Sequence, residues 1–368
     1  CVENAEGGVN IIMDKSDVTN VAVDEKKTGQ SRDRVMYFDF LRIIAICAVV
    51  VLHVSAQNYS SAEVNTLEWQ AFNFYDSIVR WGVPVFVMIS GALFLDGEHS
   101  IEKIYKKNIT RIVVAFIFWS LIYAVNNMVY FHTGWMAALK QFLAGQGHMW
   151  FLFMIVGLYM IVPLVKPIVK SMELTKYFLL LSLLFTFVVP QAIKLISLKY
   201  SAAGSFVGSI WNKVWFHFTL GYVCYFVCGY FLSKTDLGKN VKRTIYFLAI
   251  CGFISTIVGT AWISVSQQKS NVILYDNFGV NIMVEALGVF VFVKDKLGRK
   301  EVSLKTGKAL ALLSKYSFGA YLIHILVLDE LARIFGINTL SFNPLLSVPV
   351  ISAIVIVVSF AASAALNH

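Results

Sequence analysis

Arg42 and His53 stand eleven residues apart, and the residues between them, Ile43 to Leu52, are apolar or small. A guanidinium binds phosphate through charge-assisted hydrogen bonds, and an imidazole takes up and returns a proton near neutral pH. Ionisable groups are expensive inside hydrocarbon, so a cation and a base in one membrane-length run mark a candidate site. At ~1.5 Å per helical residue the eleven steps cover ~16 Å, about half the hydrocarbon layer. The helix offers a cation near one face and a titratable base well inside.

Other residues of the same kinds fall at matching depths. Counting inward along apolar runs places Arg80, His148, His217, Glu285 and His324 from mid-membrane to the outer surface, with His53. Lys106, Lys107 and Arg111 fall with Arg42 toward the cytoplasm. Inner cations suit a phosphorylated ligand, and outer His and Glu side chains suit proton transfer to or from an acceptor.

Each residue also has a structural reading. Asp39 and Arg42, at i and i+3, neutralise one another as readily as they bind a ligand, and Asp76 and Arg80 form the same kind of pair at i and i+4. Lys106 and Lys107 serve equally as topogenic charges. Cys224 and Cys228 share a helical face, but no nearby Cys or His completes a metal site, so no metal is expected. Walker-type Gly-rich loops, Gly-x-Ser-x-Gly and His-Glu-x-x-His are absent from the sequence.

The elements that must position these groups follow from composition. With 58% hydrophobic residues, 29 Phe and only 14% charged residues in 368, the chain is too apolar for a soluble domain. It reads as an all-α polytopic membrane protein, because lipid tolerates no other open spanning structure. Apolar length predicts ten spans, at roughly 36–57, 75–95, 109–131, 149–169, 174–193, 212–232, 243–264, 277–294, 309–335 and 345–365. Pro84, beside Gly82 in the second, is a candidate bend that opens room for a ligand, or an ordinary kink.

Residues 1–34, polar and without periodicity, read as a disordered tail, and 35–368 as the membrane domain. The first span resembles a signal peptide only faintly, because Arg42 interrupts it. A start at Cys1 and an end at His368 leave room for a further C-terminal domain.

Most of the 31 Lys and Arg lie in the tail and in alternate loops near 96–111, 166–176, 233–243 and 294–308. Both termini are therefore expected on the cytoplasmic side. The net charge of +9 is a topology signal, and no nucleic-acid partner is expected.

The segment Tyr37-Phe-Asp-Phe-Leu-Arg42 through His53 resembles the first-helix signature of acyltransferase family 3, whose hallmark is Arg, ten residues, then His. Val83-Pro-Val-Phe-Val-Met-Ile-Ser-Gly91 is similar to the family's second-helix segment, Lys107-Asn-Ile-Thr-Arg111 to its basic approach to the third helix, and His148-Met-Trp-Phe-Leu152 to its Trp-Phe-Leu motif. Leu313 to His324 resembles its Ser-Tyr/Phe-x-x-Tyr-Leu-x-His segment.

The resemblance, over about 35–365, implies transfer of an acyl group, usually acetyl, from cytoplasmic acetyl-CoA or another acyl-CoA. The acceptor it implies is a hydroxyl of an envelope glycan or lipid-linked sugar at the cell membrane, plasma or inner. Arg42, Arg111 and Lys107 would hold the donor. His53 would be the catalytic base or acyl carrier, with His324 and Glu285 beside it, and Asp39, Arg80, His148 and Trp150 would orient or bind substrate. A transporter or flippase for a polar metabolite or lipid-linked sugar, or the membrane half of a membrane-bound serine racemase, are the alternatives.

Overall fold

The structure, a computed structural model, describes residues 35–97, 99–213, 217–298 and 302–366, with backbone only at 217–220. The tail expected at 1–34 lies outside these residues. Among the described residues there are helices and no strands, as the membrane composition requires. They are α1 (Met36–Ala56), α2 (Leu67–Ser77), α3 (Gly82–Asp96), α4 (Thr110–Phe131), α5 (Trp135–Ala144), α6 (Trp150–Lys170) and α7 (Met172–Ser182). The chain continues with α8 (Val189–Lys199), α9 (Ser201–Trp211), α10 (His217–Lys234), α11 (Lys239–Gln267), α12 (Val280–Leu297), α13 (Leu304–Phe335) and α14 (Pro344–Ala365).

Nine helical stretches among the described residues are long and apolar enough to cross a membrane. The tenth expected span, 212–232, overlaps α10 and includes residues outside the described ones. The chain is a multi-pass membrane protein.

The second span departs from its expected bounds. It begins at Leu67 rather than near 75, where Thr66 caps α2 by accepting the Trp69 N–H at 3.3 Å. A turn at 78–81 then separates α2 from α3. Pro84 lies in the first turn of α3, where its missing N–H leaves no hydrogen bond broken. The break thus precedes the proline, and Arg80 sits in it.

Two spans carry π-helical turns, at Ile104–Ile109 before α4 and Leu183–Val188 between α7 and α8. A turn of this kind is a common device at functional positions, and the first one carries Lys106 and Lys107.

In lipid there is no hydrophobic drive between helices, so close packing depends on small residues. The α3–α10 contact is built this way. A Cβ added at Gly91 would collide with the carbonyl of Phe226, and one at Gly229 with the carbonyl of Met88. The two backbones approach where glycine alone fits.

α1 is central and packs on α2, α3, α12, α13 and α14, burying Leu41, Ala45, Ile46 and Val54 completely. By contrast α4 and α8 leave Val114, Phe118, Leu121 and Leu195 exposed, as a lipid-facing surface does. The helix carrying the candidate base and cation is therefore held on several sides.

Candidate active site

His53 falls in the last turn of α1, nearer the helix end than counting inward suggested. The chain that follows supplies the missing depth. Tyr59 and Val64 join the buried core, Asn58 donates to the Thr339 hydroxyl at 2.8 Å, and the Thr339 N–H donates to Gln57. His53 nevertheless keeps part of its surface accessible.

Three histidines from distant parts of the chain meet here. His53 comes from α1, His324 from α13, and His148 from the short 3₁₀ turn (Gly147–Met149) that leads into α6. Ring centroids are 5.0 Å apart for His53 and His324, 5.1 Å for His148 and His324, and 6.3 Å for His53 and His148. His324 is fully buried, and His148 is 5% exposed.

Hydrogen bonding sets the tautomers. Nδ1 of His53 lies 2.8 Å from the Val49 carbonyl, and Nδ1 of His324 lies 2.5 Å from the Tyr321 carbonyl. A carbonyl only accepts, so both Nδ1 atoms carry protons. Nε2 of His324, 3.3 Å from Nδ1 of His53, is then a second acceptor for the same N–H. In the neutral ring, Nε2 of His53 is left with its lone pair and is the basic atom of the site.

Two tyrosines fix the frame around the histidines. The Tyr321 hydroxyl donates to the His148 carbonyl, tying α13 to the 3₁₀ turn. The Tyr123 hydroxyl donates to the Leu322 carbonyl at 2.9 Å and accepts the Leu326 N–H at 3.1 Å. Those two backbone groups pair with each other in a regular helix. Tyr123 therefore bridges the turn of α13 that bears His324.

A second cluster lies at the Arg42 end. Asp39 is buried, with its Oδ1 4.0 Å from Nη1 of Arg42. Arg42 and Arg111 both lie within electrostatic range of the Tyr159 hydroxyl. Tyr159 stacks on Phe94 at 4.0 Å, and Arg111 stands 5.9 Å from the Phe318 ring. Two of the three expected donor-binding cations thus act on the same tyrosine. Lys107 is exposed on the π-helical turn, one turn before Arg111, and Lys106 pairs with Glu102 at 2.8 Å.

Two candidates stand apart from the histidines. Glu285 on α12 accepts a hydrogen bond from Thr256 of α11 at 2.6 Å and is held by that helix rather than by His53. Trp150 is 42% exposed and packs on Tyr222 at 5.8 Å. Arg80 meets Asp76 at 2.5 Å through Nη2, with its guanidinium 4.0 Å over the Tyr275 ring. His217 opens α10, and its side chain lies outside the described part.

Tyr123, Tyr159 and Tyr275 are the residues that sequence reasoning missed. A phenol in an apolar run is uncharged and common, so nothing set these apart among 16 tyrosines. Tyr321 alone carried a signal, through its place in the segment ending at His324.

A family model described as an acyltransferase domain, Acyl_transf_3, matches residues 35–364. The chain belongs to acyltransferase family 3. No curated protein and no solved structure matches it. As a family 3 member the protein is a membrane acyltransferase. The three histidines and the Arg42–Arg111 pair all lie within the matched residues.

Proposed function

We propose that this family 3 enzyme moves an acyl group, acetyl in the simplest case, from acyl-coenzyme A to a hydroxyl of an envelope carbohydrate or a lipid-linked sugar. One observation carries the reading. A partly accessible imidazole, with Nδ1 committed to two acceptors and Nε2 left for chemistry, stands ~16 Å along α1 from Arg42, whose charge, like that of Arg111, acts on Tyr159. Arg42 and Arg111, with Lys107 at the surface, hold the donor's phosphates by charge-assisted hydrogen bonds. The basic loops at that end make it the cytoplasmic side, so the thioester reaches inward toward His53.

Nε2 of His53 then takes the proton of the acceptor hydroxyl while its oxygen attacks the thioester carbonyl. The C–S bond breaks, the acyl group stays on the oxygen, and the coenzyme A thiolate receives the proton. The Val49 carbonyl and Nε2 of His324 meet the charge on the imidazolium in between. In a two-step route Nε2 first accepts the acyl group as the coenzyme A thiolate leaves, then releases it to the hydroxyl, whose proton passes to the thiolate.

Purified protein incubated with labelled acetyl-coenzyme A and envelope glycans tests the reading. Label should appear on the glycan with the wild type and be lost with His53→Ala. Transfer that survives the substitution overturns the role of His53. Movement of sugar across a vesicle membrane without thioester consumption points to a transporter instead.

A further inference from the structure

α4 and α5 are joined by a short turn but do not close on each other. The chain leaves α4 at His132, in the left-handed region at φ 50°, and α5 returns along α4 until Gly145 lies against the Phe116 ring. Gly145 is at φ 75°, and a Cβ there would stand 2.7 Å from that ring. α5 buries none of its own residues and packs on α4. Between the two helices runs an open groove of about 230 Å³, lined by Leu121, Val125 and Met128 of α4 and by Ala138, Leu139 and Phe142 of α5, with Ala124 also in the lining.

Every one of these side chains is apolar, and an apolar hollow does not hold ordered water. The groove is instead continuous with the lipid-facing surface of α4. Val114, Phe118, Leu121, Val125 and Met128 recur at steps of four and three, which puts them on one stripe of the helix, and all five are exposed. Hydrocarbon chains of the bilayer therefore reach the groove directly. α5 carries a single charged residue, Lys140, beside Leu139 of the lining and exposed. A lysine so placed lays its stem along apolar surface and takes its ammonium to the polar edge of the bilayer, where lipid phosphates lie.

Both walls of the groove lead to the histidines. On α4, Ala124 follows Tyr123, whose hydroxyl bridges Leu322 and Leu326 of α13 and whose ring is 5.5 Å from that of His148. On the other side α5 runs straight into the turn that bears His148. Nε2 of Gln141 donates to Oε1 of Gln146 at 3.0 Å, the Gly145 N–H donates to the Gln141 carbonyl at 2.7 Å, and the Met149 N–H donates to the Gln146 carbonyl at 2.7 Å. The width of the groove thus bears on where His148 stands relative to Tyr123 and α13.

We propose that the groove seats one acyl chain of an anionic phospholipid, with Lys140 on its phosphate, and that this lipid holds α4 and α5 at the spacing the histidines need. Helices in a membrane are joined by van der Waals packing rather than by a hydrophobic drive, so two helices parted by a groove are coupled through the chain that fills it. The lysine selects the head. A zwitterionic lipid brings its own cation beside the phosphate, whereas an anionic one leaves the charge to Lys140. Only the effect on rate rests on the acyltransfer reading above; the binding does not.

The test uses the full-length protein, stripped of lipid in detergent, with dioleoyl phosphatidylglycerol and dioleoyl phosphatidylcholine as probes. Native mass spectrometry should show the phosphatidylglycerol binding about fivefold more strongly, as one lysine near a lipid phosphate gives. Lys140→Ala should erase that preference while both lipids still bind. Ala138→Phe, which fills the groove, should weaken both severalfold. In the transfer assay phosphatidylglycerol should raise the kcat of the stripped wild type severalfold and leave the donor KM unmoved, and the kcat of Ala138→Phe should no longer respond to lipid.

Equal binding of the two lipids by the wild type, or unchanged binding in Ala138→Phe, overturns the proposal. So does recovery of an isoprenoid-linked sugar rather than a phospholipid from the groove. Full transfer by the stripped protein defeats the role of the lipid and leaves the acyltransfer reading standing. The stated lipid preference in a protein that never consumes acetyl-coenzyme A keeps the groove site and defeats that reading.

Discussion

His324→Ala removes the side-chain acceptor from the Nδ1–H of His53 while leaving the Val49 carbonyl in place. The base survives but is less well oriented, so kcat should fall by about two orders of magnitude with the donor KM unchanged. Steady-state transfer kinetics of the variant read this directly, and a wild-type kcat would remove His324 from the mechanism. At this scale the sequence announced what was expensive. Arg42, His53, Arg80 and His324 were visible because lipid penalises each of them. The penalty does not say who meets whom. Glu285 carried the same signal, yet it is bonded to Thr256 on α11, a contact between helices that no spacing along one helix encodes.

Among the elements, α13 holds the clearest dependence. Tyr123 on α4 bridges Leu322 and Leu326, the groups on either side of His324. Tyr123→Phe keeps the ring and deletes the bridge. We expect His324 to lose part of its fixed position beside His53, lowering kcat at least tenfold while thermal stability in detergent shifts by only a few degrees, as loss of one hydrogen bond allows. A kcat within twofold of wild type would mean that the bridge is incidental. The long helices were legible, since a run of about twenty apolar residues has one solution in lipid, but the short α5 and α9 fell between the expected spans. The break at 78–81 was not, because Ile78 and Val79 carry apolar character straight through it. The start of α2 at Leu67 was hidden by Glu68, Gln70 and Asn73, polar residues on a helix that the bundle shelters.

For the whole molecule, the central place of α1 sets the terms on which its two ends work together. Eleven residues at ~3.6 per turn come to just over three turns, so Arg42 and His53 share nearly the same azimuth on the helix. Donor hold and base are thus in phase as well as at a fixed separation. One alanine inserted between Ile46 and Cys47 would rotate everything beyond it by ~100° and advance it by only ~1.5 Å. Four inserted residues would bring the azimuth back to within ~40° at the cost of ~6 Å. If phase governs, glycan labelling by the four-residue insertion should exceed that of the one- and two-residue insertions, each checked for monodispersity and acetyl-coenzyme A binding. A uniform loss across the series would show that distance governs instead. The first helix would then be a spacer, where the structure makes it a key cut to one rotation.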